Sequence, residues 1–157
     1  MTFFLWNVAL AVIWALLTGH FELANLLVGF VLGYGLMTLA RRAFPPTSYF
    51  AKVAQVTRFA IFFLRELIVA SVQVARQVLH PHPDIHPGIV AVPLDARTDA
   101  EITLLAIVIT LTPGTLTLDV SPDRRALYVH GMDVRDGAAF VRKIKAGLEA
   151  RTLEVTR

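Results

Sequence analysis

The chain has 157 residues, 55% of them hydrophobic, with fifteen Lys or Arg against twelve Asp or Glu and no cysteine. That apolar share exceeds the about 45–50% usual in a soluble domain, and the missing cysteines exclude a disulfide framework, a thiol nucleophile and Cys-ligated zinc or iron–sulfur centres. The positive excess falls between Met1 and Asp84, with six basic and three acidic residues, whereas Ile85 to Arg157 carry nine of each. No concentrated basic face therefore speaks for nucleic acid.

Glu22 is the one ionised side chain in the first forty residues. Around it run two apolar stretches, residues 2–18 and 21–40, joined by Gly19 and His20, which predicts two antiparallel helices in a tight hairpin. The first is at the short end of what spans a hydrocarbon core of roughly 30 Å. The second carries Gly29 and Gly33 in a G-x-x-x-G pattern, which lets another helix approach closely. With no basic leader and no small-residue cleavage site, removal as a signal peptide is not expected. Arg41, Arg42, Lys52 and Arg58 beside this run read as orientation signals.

Pro45 and Pro46 enforce a break. A long helical pattern resumes over residues 50–79, with Lys52, Gln55, Arg58, Arg65, Glu66, Gln73, Arg76 and Gln77 inside one arc of about 140° at 100° per residue. Such a helix either lies in the membrane interface or crosses with its polar stripe against partners, and the charge bookkeeping favours the interfacial form with the C-terminal half on the cytoplasmic side. The His80-Pro81-His82-Pro83-Asp84-Ile85-His86-Pro87-Gly88 segment reads as a stiff linker. Beyond it, residues 89–93, 115–120 and 126–132 read as strands, 99–111 as a helix opened by Thr98 or Asp99, and 136–151 as a last helix. The expected fold is a membrane α-helical hairpin (1–43), a Pro break and amphipathic membrane-associated helix (44–80), a Pro/His linker (81–88), and a small α+β domain of β-α-β-β-α order (89–157).

Candidate chemistry is sparse. A carboxylate in the middle of an apolar helix is costly in lipid, so Arg65 and Glu66 are candidates for an ion path or an intersubunit contact. His80, His82 and His86 around Asp84 sit on an extended segment whose alternate residues diverge, so their spacing carries no metal site. Thr112-Pro113-Gly114-Thr115 reads as a structural turn. His130 and Asp119 are the only bases to consider for its hydroxyls, and no triad or Ser-x-x-Lys signature accompanies them. Neither a catalytic residue nor a cofactor site is expected.

Several stretches carry a resemblance to a known family. They are Trp14-Ala15-Leu16-Leu17-Thr18-Gly19, Leu26-Leu27-Val28-Gly29-Phe30, Pro87-Gly88-Ile89-Val90 and Pro93-Leu94-Asp95. The most specific is Glu101-Ile102-Thr103-Leu104-Leu105-Ala106 running into Ile109-Thr110-Leu111-Thr112-Pro113-Gly114-Thr115-Leu116-Thr117, then Asp119-Val120-Ser121-Pro122-Asp123 and Leu127-Tyr128-Val129-His130. In this order they resemble the E subunit of the bacterial multisubunit cation/proton antiporter, the Mrp, Mnh or Pha family. The resemblance implies an accessory subunit, multi-pass in the bacterial cell (inner) membrane with its C-terminal domain cytoplasmic. It also implies a hetero-oligomer in contact with the lipid bilayer that moves Na⁺ or K⁺ against H⁺. The family's ion channels are attributed chiefly to its large subunits, so no catalytic residue carries over. A stand-alone membrane-anchored scaffold or binding domain is the alternative of a different class.

Overall fold

Residues 2–43, 48–81 and 85–157 are described by the computed structural model; the Pro45-Pro46 break and His82, Pro83 and Asp84 of the linker lie outside them. Two units are distinguished, Met1–Ala54 and Gln55–Arg157.

In the first unit, α1 (Thr2–Thr18) and α2 (Leu23–Leu39) are followed by a 3-10 turn, Ala40–Ala43. Gly19, at φ +70, supplies the left-handed residue that ends α1, a conformation open to Gly without steric cost. Asn25 then ties the two helices together. Its amide donates to Thr18 Oγ1 at 2.7 Å and to the His20 carbonyl at 2.6 Å, and its oxygen accepts from Trp14 Nε1 at 3.0 Å. The contact between the helices runs along residues four apart, most of them small: Asn7, Ala11 and Ala15 on α1, Gly29, Gly33 and the larger Met37 on α2, all buried. Close backbone approach of this kind is what small residues allow.

The hairpin corrects the expected fold class. No described helix is long and apolar enough to cross a membrane. Helices α1 and α2 have 17 residues each, about 26 Å at 1.5 Å per residue against a core of roughly 30 Å. The second apolar stretch yields a shorter helix than its composition suggests, because Glu22 stands at its N-cap and the chain tightens after Leu39. Helix α3 (Tyr49–Leu79) has 31 residues, but Lys52, Arg58, Arg65, Glu66 and Arg76 are spaced so that every eighteen-residue stretch holds at least three charges. A transmembrane hairpin and a multi-pass placement are therefore both overturned.

In the second unit, β1 (Gly88–Pro93), α4 (Asp99–Leu111), β2 (Thr115–Val120) and β3 (Ala126–Gly131) precede a long terminal helix. That helix consists of α5 (Gly137–Lys143), a π-helical stretch, Ile144–Glu149, and α6 (Ala150–Thr156). The sheet is antiparallel in the order β1-β3-β2, with Val92 opposite Leu127 and Val120 opposite Leu127 from the other side. A bulge between Thr117 and Asp119 shifts the register of β2. Val92, Leu105, Ile109, Leu127, Val129 and Ile144 form the core between the sheet and the helices; burying each such side chain stabilises by about 1.5–3 kcal/mol.

Candidate functional site

Glu66 lies half-buried on α3 and faces a cavity of about 720 Å³ within the second unit. It has no hydrogen bond or ion pair among the described residues. The cavity lining is mixed, with Phe62, Ala70, Val74, Ile109, Met132 and Phe140 apolar and Gln73, Arg76, Gln77, Asp133, Arg135 and Lys143 polar. The two walls are bridged by Gln77 Nε2 donating to Asp133 Oδ2 at 3.3 Å and by the Arg151 guanidinium 5.7 Å from the centre of the Phe62 ring. Arg65 is exposed and does not line this cavity. Adjacent in sequence, the two candidate charges thus serve different faces of the helix.

Thr112, Pro113, Gly114 and Thr115 line the same cavity. The turn forms because both threonine hydroxyls donate to carbonyls in the last turns of α4, where intrahelical donors run out. Thr112 Oγ1 donates to the Val108 carbonyl at 2.9 Å, and Thr115 Oγ1 to the Ile109 carbonyl at 2.7 Å. Gly114, at φ +86, is left-handed, and a Cβ there would lie 3.2 Å from Val74 Cγ2 on α3. Each hydroxyl proton is already committed, so the turn has no activated nucleophile. Asp119 accepts from the Val120 amide at 2.8 Å, and His130 sits opposite Ile89 and Leu116 in the sheet.

Gly29 and Gly33 stand apart from the cavity, in the hairpin. A Cβ at Gly29 would lie 2.9 Å from Trp14 Cβ; at Gly33 it would overlap Asn7 Oδ1 and lie 3.0 Å from Leu10 Cβ. Asn7 donates from Nδ2 to the Tyr49 hydroxyl at 2.9 Å, while its Oδ1 is buried without a partner among the described residues. Of the linker histidines, His86 lies with its Nδ1 3.8 Å from Asp133. Among the described residues no three His, Asp or Glu side chains gather as metal ligands do.

Sequence reasoning missed two buried carboxylates that fasten the β1–α4 loop. Glu149 Oε1 accepts from the Asp95 amide at 2.7 Å and the Ala96 amide at 3.1 Å, and Glu101 Oε2 accepts from the Arg97 amide at 2.8 Å and the Thr98 amide at 3.2 Å. Four successive amides are thereby satisfied. Glu101 also takes a bond from Arg157 Nε at 3.0 Å, and its carboxyl is pulled down to about 2, first by the Arg97 amide, then by Arg157 and the Thr98 amide. Lys145 donates to Glu149 Oε2 and Asp95 Oδ2, both at 2.9 Å, and to the Pro93 carbonyl at 2.8 Å. Burial works against its charge, but the Asp95 and Glu149 carboxylates outweigh this and hold the amine above its ordinary value. The Asp95 carboxyl is lowered by the same lysine. The signal for Glu101 was present as Thr98-x-x-Glu101, a capping box, which forms as such. Glu149 has no comparable signature.

Residues 7–155 match a family described as "Na+/H+ ion antiporter subunit". The chain is similar to the E1 subunit of the Na(+)/H(+) antiporter of Staphylococcus haemolyticus, with 40% identity over 95% of this chain and 94% of the relative. It is also similar to the E subunit of the Na(+)/H(+) antiporter of Bacillus subtilis, with 38% identity over 96% of each. Among solved structures it resembles a chain of the Mrp complex from Dietzia sp., at 33% identity and a TM-score of 0.51, covering 65% of this chain and 96% of that one. A chain of the membrane-bound sulfane sulfur reductase, an archaeal respiratory membrane complex, is similar at 30% identity and a TM-score of 0.52, covering 87% of this chain and 86% of that one.

Proposed function

This chain belongs to the Na+/H+ ion antiporter subunit family, and from that membership we propose that its part in the antiporter is to hold neighbouring subunits together. It is an accessory subunit of a cation/proton antiporter complex, with partner subunits around it and no enzymatic step of its own. The observation that carries the assembly role is the inverted packing of the hairpin. Its helices spend Ala and Gly on each other and leave Leu5, Trp6, Leu16, Leu17, Leu27 and Val31 between 58% and 79% exposed. A continuous apolar surface of this kind marks an interaction site, and partner subunits are what the complex supplies to cover it. The likeness to a chain of the membrane-bound sulfane sulfur reductase, an archaeal respiratory membrane complex, supports a part that serves assemblies of differing chemistry.

Glu66 supports a second reading. An unpaired, half-buried carboxylate on a cavity is available to a cation of the ion path or to a basic group of a partner. The test is Glu66→Ala, with cation/proton exchange measured in membrane vesicles beside recovery of the partner subunits. Exchange falling at least ten-fold while recovery stays whole would place Glu66 on the ion path. Equal losses would leave it an intersubunit contact, and no loss in either would remove it from both roles.

A further inference from the structure

Helix α3 presents its polar side to its own domain and its apolar side outward. Phe62, Glu66, Ala70, Gln73 and Gln77 line the cavity, spaced three and four apart and so on one face. Ile61, Leu64, Ile68, Val72 and Leu79 are 43–81% exposed. At 100° per residue they fall in an arc of about 80°, centred about 160° from the cavity-facing residues. Along one flank of this stripe stand Arg58 and Arg65, seven apart, both exposed and with no side-chain partner among the described residues, whereas Arg76 lines the cavity. The other flank, with Ala60, Ser71 and Val78, carries no charge.

We infer that the outward face of α3 docks a helix of another subunit whose own apolar ridge is bordered on one side by Asp or Glu residues about seven apart. This deepens the assembly reading above and rests on it. The three-and-four spacing selects a helix, because such rows of side chains are the ridges and holes that a second helix fills. The one-sided charge selects its chemistry. A second copy of this chain packed antiparallel would set arginine line against arginine line, and packed parallel it would set arginines against Ala60, Ser71 and Val78. Neither pairing complements the charge. A lipid surface draws on basic residues across the whole polar face of a helix, whereas the far side of α3 is turned to its domain and the free arginines keep to one border.

The test uses the assembled complex, with a photo-cross-linking residue placed singly at Ile61, Leu64, Ile68 or Val72. Ala70, 7% exposed on the cavity side, is the inward control, and Leu27 of α2 reports on the hairpin. The expected result is adducts from the four outward positions, mapping to one acid-bearing helix of one partner subunit, and none from Ala70. Arg58→Glu combined with Arg65→Glu lowers their yield at least ten-fold, and changing the facing acids to Lys restores it. Adducts with lipid or with a second copy of this chain would overturn the inference. So would a lack of adducts from α3 while Leu27 still captures a subunit; absence at Leu27 as well would overturn the assembly reading itself.

Discussion

The two units solve opposite packing problems. In the C-terminal unit the large aliphatic side chains Leu105, Ile109, Leu127 and Val129 are at or near zero exposure, and the ion pairs of Arg124 with Asp99 and Arg151 with Glu154 lie outside. The hairpin reverses this order: Ala15 and Asn7 are fully buried, while Leu17, Leu23 and Leu39 are 74–85% exposed. A core of the first kind removes most of its own apolar surface from water. One of the second kind removes only a narrow contact strip, so its stability depends on what covers the rest.

The comparison can be broken at either end. Leu105→Ala, which opens a void in the self-sufficient core, is expected to destabilise the C-terminal unit by about 2–5 kcal/mol, read as faster amide exchange in β1, β3 and α4 of the full chain. Gly33→Ala drives a methyl group into Asn7 and is expected to cost about 1–3 kcal/mol, with the exchange increase confined to α1 and α2. Thr98→Ala removes the capping oxygen from the Glu101 amide, 3.2 Å away, and should cost about 1 kcal/mol, visible in the first turn of α4. Leu27→Ser, on the outer face of α2, should change the stability of the isolated chain by less than about 0.5 kcal/mol yet lower the recovery of partner subunits. A stability loss as large as that of Gly33→Ala would mean that the chain covers Leu27 by itself.

Acid sharpens the contrast, because the depressed carboxyls Asp95, Glu101 and Asp123 all belong to the C-terminal unit. A carboxyl lowered on folding stabilises the native state above its unfolded value, 4.5 for Glu101, and that contribution is lost as pH falls toward about 2. Amide exchange of residues 97 and 98, whose amides donate to Glu101, should therefore accelerate selectively between those limits, with the hairpin helices unaffected. Lys145, raised on folding, contributes below its ordinary 10.5 and loses that contribution as pH climbs through the raised value.

Much of the C-terminal unit was legible because its signals are local. Alternation over Thr115–Val120 gave a strand, and the polar residue before Asp99 gave a helix start. The Glu149 clamp was not legible, since it joins positions 53 and 54 apart in sequence, and the π-helical stretch places Glu149 and Ile144, five apart, both in the interior. At 100° per residue an α-helix would turn them about 140° from one another. The spans were misjudged because an apolar run reports composition, whereas Gly19, Glu22 and the 3-10 turn after Leu39 set helix length. Gly29 and Gly33 announce a close approach but do not name Trp14 and Asn7 as what approaches. The polar arc of α3 was plain in the sequence. Which side it turned to the domain was not, because Glu66 and Arg65 share that arc and only tertiary packing separates them.

With no cysteine in the chain, single cysteines at Leu5, Leu27 and Leu32 report unambiguously on the hairpin's outer surface. The decisive measurement compares their rates of maleimide labelling in the assembled complex with those in the chain stripped of its partners under the same solvent conditions. Protection of at least ten-fold in the complex, lost on stripping, is the predicted result. Equal labelling in both states would contradict the claim that partner subunits cover what the hairpin leaves exposed.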